Sequence, residues 1–422
     1  MPNLHLPFNP EPPQILHIDL NSCFASVEQQ ARPLLRDRPV GVTNRLAKHC
    51  ILVAVSYEAK ALGVKVGMRN SDAQLLAPGI VVLETDPPKY HHVYKQLVRI
   101  MKSYSPLVIM KSIDEGIIDF AGTRSAVNKR PLVEIGYEIK RRLCEDVGSW
   151  LRCNIGIAPN RFLAKTAASL HRPDGLDVIT YKNLRRTLAT LELTDLTGIA
   201  ERNAARLNAC GIYSPLQFLD APSELLHRRV FKSVCGDDWY QRLRGYEVDD
   251  REFSVKTVGR QFVMDEFQPS DTKVRSRLAI LCETTGLKLR YKGLCARGIF
   301  VYARYSSGDY WYERKAFKSS FFSNAEIHRR ATLLFNRAPR DDYVRELGVS
   351  CYLLEPSNQN QISLLDEINR EIWLTEAVDT INAQFGESTI TMAVSAGSKG
   401  KVKQKIPFGS TRYFELLCQQ SA

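Results

Sequence analysis

The sequence lacks the features of a membrane or secreted protein and of a metal–thiolate site. No run of apolar residues approaches the roughly 18 needed to cross a bilayer. Residues 1–5 have neither the basic stretch nor the apolar core of a signal peptide. The 10 cysteines include no Cys-x-x-Cys pair, which argues against a zinc site and for reduced, mostly structural thiols. These absences predict a cytosolic protein.

The charge of the chain is strongly positive and unevenly distributed. Its 422 residues carry a formal net charge of +12, and the sequence pI is about 9.2. Residues 254–355 alone contain 18 Lys and Arg against 11 Asp and Glu. A regional excess of positive charge predicts a polyanionic partner such as nucleic acid. The length exceeds what one hydrophobic core usually serves, so we expect several domains.

Two adjacent acids, Asp114 and Glu115, lie between two apolar segments. Residues 107–110 precede them and residues 116–120 follow, which predicts a β-hairpin with the acids at its turn. An acidic turn of this kind is usually only solvated. The alternative is that the acids hold a cation, since Mg²⁺ prefers carboxylate oxygens and buried unpaired charges are unfavourable.

A third acid, Asp19, lies near the end of the apolar stretch of residues 15–20. The pattern predicts a strand, a turn and then a helix that begins near Phe24. A carboxylate at a strand end, opposite an acidic hairpin, is the arrangement that two-metal phosphoryl transfer requires. The sequence therefore favours the cation-binding interpretation of the hairpin.

Two further segments place a basic side chain near the start of a helix. A strand passes into a helix within residues 51–63, where Tyr57 and Lys60 are three residues apart and share a face. A second strand, turn and helix follow within residues 153–167, which include Lys165. The shared face of Tyr57 and Lys60 suits a phosphate contact, and the alternative for Lys60 and Lys165 alike is a solvated helix face.

The segments around Asp19, Asp114 and Lys165 resemble those of the Y-family DNA polymerases, the translesion enzymes of the bacterial polymerase IV and polymerase V (DinB and UmuC) types. The resemblance spans about residues 14–366. It implies an α+β multidomain fold, a right-hand polymerase with palm, fingers and thumb and an added α/β little-finger domain. The implied domains are the palm (1–21 and 87–182), the fingers (22–86), the thumb with a helix-hairpin-helix (183–245), a linker (246–253), the little finger (254–355) and a C-terminal tail (356–422).

The resemblance also implies the roles of individual residues. Asp114 and Glu115 would be catalytic and, with Asp19 and the backbone carbonyl of Leu20, would bind two Mg²⁺ ions, which Mn²⁺ can replace. Phe24 would be the steric gate that excludes the 2′-hydroxyl of a ribonucleotide. The residues implied to contact the triphosphate of the incoming dNTP are Tyr57, Lys60 and Lys165.

Contacts to primed template DNA are implied elsewhere in the chain. In the helix-hairpin-helix, Gly198 and Ala200 would bring backbone N–H groups to a phosphate, with Ala200 standing where the usual motif has a second glycine. Lys256 and Arg260 open the basic region and would contact the DNA backbone. We expect most aromatic residues in the alternating strands of that region to belong to its core.

The tail contains a short peptide that resembles the one by which bacterial polymerases bind the sliding clamp. The peptide would place its apolar residues in a preformed groove of the clamp, although its last residue replaces a preferred Phe. A UmuD-like accessory subunit or a recombinase filament is a further candidate partner, whereas a membrane is not. The residues of the peptide are Gln361, Ile362, Ser363, Leu364 and Leu365.

The function implied is template-directed DNA synthesis of low fidelity during DNA damage tolerance. Such an enzyme would act in the SOS response, with a mutator effect, in the cytoplasm and at the nucleoid. One alternative is a non-catalytic DNA-binding scaffold of the same fold, which the retention of all three acids disfavours. A nucleotidyl cyclase that shares the palm topology would need neither a thumb nor the basic region.

Overall fold

The computed structural model describes residues 6–46, 50–121, 130–251, 254–264, 266–357, 366–386 and 389–396. The chain divides after Arg251 into two compact units, the first unit and the second unit. The division falls within residues 246–253, where a linker is predicted. Among the described helices, none combines the length and the apolarity that crossing a membrane requires.

The first unit contains two sheets and a series of helices. The larger sheet has the strand order β5-β6-β1-β7-β8, and the smaller has the order β3-β2-β4. The strands are β1 (Ile15–Leu20), β2 (Val40–Thr43), β3 (Leu52–Val55), β4 (Val81–Glu84), β5 (Val108–Met110), β6 (Glu115–Asp119), β7 (Cys153–Ala158) and β8 (Leu176–Val178). The helices are α1 (Cys23–Ala31), α2 (Tyr57–Ala61), α3 (Asn70–Leu76), α4 (Pro87–Lys102), α5 (Leu132–Arg142), α6 (Arg161–Ala167), α7 (Leu184–Leu188), α8 (Glu201–Asn208), α9 (Pro215–Asp220), α10 (Ser223–Leu225) and α11 (Cys235–Leu243).

β1 lies at the centre of the larger sheet and pairs antiparallel with β6 on one side and β7 on the other. Its residues Leu16 and Ile18 pack in the core that includes α4 and α5, whereas Ile15 packs with α6 on the opposite face. A near-continuous apolar run is typical of a strand covered on both faces. The predicted strand at residues 15–20 is confirmed.

The helix α4 covers one face of the larger sheet. Its buried face carries Tyr90, Tyr94, Leu97 and Met101, at the spacings of three and four residues that define one side of a helix. β5 and β6 form the hairpin predicted at residues 107–120, which is also confirmed.

The smaller sheet has a small core of its own on one face. Leu52 and Val55 of β3 pack there against Ala59 of α2 and Ala73 of α3. The strand-to-helix transition predicted within residues 51–63 is confirmed by β3 and α2.

The second unit is a four-stranded sheet with helices on one face. The strand order is β11-β10-β12-β9. The elements are β9 (Thr257–Val263), α12 (Asp271–Tyr291), β10 (Leu294–Tyr305), β11 (Tyr310–Phe321), α13 (Asn324–Phe335), β12 (Val344–Pro356), α14 (Asp366–Phe385) and α15 (Ala393–Ala396).

The prediction that most aromatic residues of these strands lie in the core is wrong for the face turned away from α12 and α13. Tyr310 and Tyr312 of β11 are 54% and 58% exposed. Tyr312 lies directly across the strand pair from Tyr302. The alternate residues Trp311 and Phe317 pack against the core. The sheet therefore presents aromatic rings on both faces, which an alternating pattern alone does not distinguish.

The described part of the predicted tail packs on the second unit. Arg290 of α12 donates to both carboxylate oxygens of Asp379 in α14, at 2.5 and 2.8 Å. Helix α14 forms the longest described element of this tail. The predicted clamp peptide, Gln361–Leu365, lies outside the described residues.

Gly156 of β7 lets the strand approach α6 closely, and we expect Gly156→Ala to destabilise the first unit. An added Cβ would lie 1.9 Å from the carbonyl oxygen of Ala164 and 2.3 Å from the backbone nitrogen of Ala168, so the helix backbone must shift. The expected loss of unfolding free energy is about 3 kcal/mol, at the upper end for overpacking. Urea unfolding followed by tryptophan fluorescence measures it.

The matched control is Gly79→Ala, because an added Cβ there meets nothing within 4 Å. Its effect should stay within about 0.5 kcal/mol. Equal stabilities of the two variants would show that the contact between β7 and α6 tolerates a methyl group.

Candidate active site

The three acids predicted to form a site lie at one edge of the larger sheet, where β1 ends and β6 begins. The antiparallel register pairs Asp19 with Glu115. The backbone N–H of Leu20 donates to the carbonyl oxygen of Asp114 at 2.8 Å. Ser112 shapes the turn before β6, because its Oγ accepts from the backbone N–H of Glu115 at 3.0 Å. Strand pairing therefore brings the three acids to the same edge of the sheet.

Asp19 and Asp114 are largely shielded from water and line the same cavity. Burial raises the pKa of Asp19, although the positive charge of Arg172 acts in the opposite direction. Burial also raises the pKa of Asp114 and outweighs the hydrogen bond from Ser112. The negative charges of Asp19 and Glu115 raise it further. Two desolvated carboxylates in one cavity favour the binding of a cation.

Glu115 differs from the other two acids because it has basic neighbours. Nζ of Lys165 donates to Oε2 of Glu115 at 2.7 Å. Nε2 of His17 is 3.6 Å from the same oxygen, beyond hydrogen-bond distance. Burial alone would raise the pKa of Glu115, but His17 and Lys165 outweigh it and hold the pKa at about 2. We attribute this mainly to Lys165, whose contact has hydrogen-bond geometry, so Glu115 stays ionised.

The three acids have the type of donor atom that divalent cations prefer, but their carboxylates are not arranged around one point. Within the described ranges, no group of three or more His, Cys, Asp or Glu side chains is arranged to hold a metal ion. Asp19 is instead bound by Arg172 at 2.5 Å, and Glu115 is bound by Lys165. Three carboxylates nevertheless supply the hard oxygen donors that Mg²⁺ prefers. The donor set therefore fits the predicted ions once these basic side chains are displaced.

Phe24, in α1, lines the same cavity as Asp19. Its ring stacks on that of Tyr90, with centroids 4.4 Å apart and an interplanar angle of 17°. The Tyr90 hydroxyl donates to Oε1 of the buried Glu28 at 2.9 Å. Lys89 donates to the other oxygen of Glu28 at 3.2 Å. The ring of Phe24 is therefore supported from behind by a hydrogen-bonded and charged network.

Lys60 lines the cavity from α2. Its Nζ lies 4.3 Å from the ring centroid of Tyr57 and donates to Oγ of Ser22 at 2.8 Å. Burial lowers the pKa of Lys60, and the charge of Arg172 lowers it further. The two residues predicted to share a helix face are therefore in contact, and Lys60 brings a positive charge to the cavity that holds the acids.

The residues predicted to contact DNA do not line this cavity. Gly198, with a φ of 97°, and Ala200 are exposed in the turn before α8. Lys256 is exposed immediately before β9. Arg260 pairs with the buried Val349 and therefore lies on the face that α12 and α13 cover, where it is half-buried. Lys256 is thus the more accessible of the two basic residues.

Two residues of the site are not among the predicted ones. The sequence pattern indicates only a turn at Arg172 and a helix face at Tyr90, yet these residues contact Asp19 and Phe24. Glu28 could have indicated the partner of Phe24. It is an acid four residues after Phe24 on the buried face of an amphipathic helix, and a buried acid requires a polar partner such as Tyr90. No comparable signal marks Arg172.

Comparison with known proteins identifies the family. Residues 18–169 match the impB/mucB/samB family, and residues 255–364 match its C-terminal domain. The DNA polymerase IV of Moorella thermoacetica is 32% identical, over 92% of this chain and 97% of its own length. The DNA polymerase IV of Pelotomaculum thermopropionicum is 31% identical, over 93% of this chain and 97% of its own length. DNA polymerase IV 1 of Bacillus subtilis is 27% identical, over 89% of this chain and 91% of its own length.

Solved structures share the fold. A chimera of the Y-family DNA polymerases Dbh and Dpo4 superposes with a TM-score of 0.68 at 23% identity, over 80% of this chain and 98% of the chimera. DinB from Sulfolobus solfataricus gives a TM-score of 0.53 at 23% identity, with the same coverage. The predicted fold class, an α+β multidomain right-hand polymerase, is confirmed. The chain belongs to the impB/mucB/samB family and is a bacterial DinB-type Y-family DNA polymerase.

We expect Asp114→Asn to raise the Tm of the metal-free protein at pH 7. Burial raises the folded pKa of Asp114 above its ordinary value of 3.8, so folding favours the protonated form. That contribution to stability is present below pH 3.8 and is lost as the pH rises through the folded pKa. The amide of Asn has no charge to bury. Because Asp114 itself becomes protonated as the pH is lowered towards 4, the difference in Tm between the variant and the wild type should shrink there.

Thermal unfolding in EDTA across this pH range tests the expectation. The matched control is Asp146→Asn, at an acid with a side chain 52% exposed, which should show no such pH-dependent gain. A lower Tm for Asp114→Asn at pH 7 would mean that the hydrogen bond with Ser112 outweighs burial.

Proposed function

We propose that this chain extends a primer on template DNA with dNTPs, as a DNA-directed DNA polymerase of the translesion type. The observation that carries the proposal is one cavity lined by Asp19, Asp114, Phe24 and Lys60. The carboxylates suit metal-assisted phosphoryl transfer, the ring suits a sugar, and the ammonium suits a phosphate. Family membership and the DNA polymerase IV relatives support the same activity.

Mg²⁺ is the proposed cofactor, with two ions per site and Mn²⁺ as a substitute. Asp19, Asp114, Glu115 and the backbone carbonyl of Leu20 would hold the ions. When bound, the ions would activate the primer 3′-hydroxyl and would neutralise the charge that develops on the triphosphate. Asp114 and Glu115 are the proposed catalytic residues, and the turn at Ser112 fixes their backbone.

The remaining side chains of the site bind and orient the dNTP. Lys60 and Lys165 place positive charge beside the acids, and the hydroxyl of Tyr57 adds a hydrogen-bond donor for the triphosphate. Phe24, supported by Tyr90, offers a ribose 2′-hydroxyl neither space nor a hydrogen-bond partner. The site therefore selects deoxyribonucleotides by shape.

The proposed DNA contacts are Gly198 and Ala200 in the first unit and Lys256 and Arg260 in the second. The exposed turn before α8 suits a phosphate, and the basic composition of residues 254–355 suits the DNA backbone without base selection. Contact of this kind is compatible with synthesis past damaged bases. We propose low fidelity, a role in the SOS response with a mutator effect, and action at the nucleoid.

The proposed protein partner is the bacterial sliding clamp, bound through Gln361–Leu365. The apolar residues of this peptide suit a preformed groove. A UmuD-like accessory subunit or a recombinase filament is a further candidate partner. The non-catalytic scaffold is the alternative function, and the presence of Asp19, Asp114 and Glu115 at one sheet edge argues against it.

Primer extension tests the catalytic assignment. We expect Asp114→Ala and Glu115→Ala to reduce extension with Mg²⁺ and dNTPs by on the order of 10³-fold, because each removes several kcal/mol of charge stabilisation. Asp146→Ala is the control and should retain activity. Anisotropy of a labelled primed template should show unchanged DNA binding. A wild type that binds primed DNA without extending it, with clamp present, would favour the scaffold.

Ribonucleotide insertion tests the role of Phe24. We expect Phe24→Ala to raise the efficiency of insertion of a ribonucleotide relative to its deoxyribonucleotide by on the order of 100-fold, because the space beneath the sugar opens. Single-nucleotide insertion kinetics measure the ratio. Phe162→Ala, at a buried ring of α6 outside the cavity, is the control for general loss of packing. An unchanged ratio for Phe24→Ala would remove Phe24 from the gate.

A further inference from the structure

Arg172 makes a contact that its place in a turn does not explain. Its Nη2 donates to Oδ2 of Asp19 at 2.5 Å and to Oγ of Ser169 at 3.3 Å. The side chain of Arg172 is 40% exposed and that of Asp19 is 17% exposed. The ion pair therefore lies where the cavity meets solvent, between a largely buried acid and a basic side chain that has room to move.

This ion pair and a metal ion compete for the same carboxylate. The oxygen of Asp19 that accepts from the guanidinium is engaged in a charge-assisted hydrogen bond. A guanidinium beside a divalent cation is also repelled by it. Asp19 can therefore ligate a cation at this oxygen only after Arg172 has left.

The cavity itself provides a place for the released guanidinium. Arg172 and Lys60 both line it, so two like charges face the same space. An anion bound between them relieves their repulsion. The planar fork of a guanidinium matches two oxygens of a phosphate, and the triphosphate of a dNTP supplies such oxygens.

We propose that Arg172 is an exchangeable counter-ion, which neutralises Asp19 in the metal-free protein and contacts the dNTP triphosphate when Asp19 binds a divalent cation. The proposal rests on the polymerase function proposed above. It makes Arg172 a binding residue for the nucleotide in addition to Lys60 and Lys165. It also couples the two ligands, because binding of either one favours release of Arg172 from Asp19 and so favours the other.

Mn²⁺ binding tests the first half of the proposal without catalysis. Electron paramagnetic resonance of the full chain with Mn²⁺ alone gives the affinity of the Asp19 site. We expect Arg172→Ala to bind Mn²⁺ about three- to fivefold more tightly, since the partly exposed ion pair no longer competes. Asp19→Ala should lose this site. The matched control is Arg185→Ala, which removes an arginine from an exposed pair with Asp220 and should leave the affinity unchanged.

Insertion kinetics test the second half. We expect Arg172→Ala to raise the KM for dNTP about tenfold, the size of one lost charge-assisted contact, with a smaller effect on kcat. Arg172→Lys keeps the charge but not the fork, so its KM should lie between those of the wild type and Arg172→Ala. Arg185→Ala should leave the KM for dNTP unchanged.

The outcomes separate this proposal from the function on which it rests. An unchanged Mn²⁺ affinity in Arg172→Ala, with the site still lost in Asp19→Ala, would overturn the counter-ion role alone. Tighter Mn²⁺ binding with an unchanged KM for dNTP would overturn the triphosphate contact. Mn²⁺ binding that survives Asp19→Ala would refute the metal assignment, and the role of Arg172 with it.

Discussion

The backbone pairing of β1 with β6 is the interaction on which the candidate active site depends. It sets Asp19 opposite Glu115 and leaves Asp114 at the adjoining turn, so three negative charges meet at one sheet edge. Burial disfavours the charged forms of Asp19 and Asp114 and so opposes folding, and the apolar cores on both faces of β1 compensate for it. The middle of the strands therefore supplies stability, and the candidate active site lies at their ends.

Each acid is balanced by a hydrogen-bond donor or a cation of the protein itself. Asp114 has the hydroxyl of Ser112, Glu115 has Lys165, and Asp19 has Arg172. This accounts for the absence of a gathered ligand group among the described residues, although all three acids are in place. In the proposed function, the basic side chains near the acids therefore have a role both before and after the metal ions bind.

Local patterns in the sequence predicted most of the elements and the acids, because strand ends, helix faces and hairpins are encoded within a few residues. Contacts between distant segments were not predictable in this way. Arg172 is far from Asp19 in the chain, and the support of Phe24 by Tyr90 joins two separate helices. The alternating pattern of β11 predicted that its side chains lie on two faces of the sheet, but not which face is exposed. Tyr312 is exposed and Trp311 packs against the core, yet both positions carry an aromatic residue.

The attachment of α14 to α12 has a mechanical consequence. β12 ends at Pro356, α14 begins at Asp366, and α14 is fixed to the second unit through Asp379 and Arg290. The pair is shielded from water, because the side chain of Arg290 is only 9% exposed and that of Asp379 is 27% exposed. A force applied to α14 is therefore carried to α12 through this bidentate contact, which a surface ion pair would not sustain.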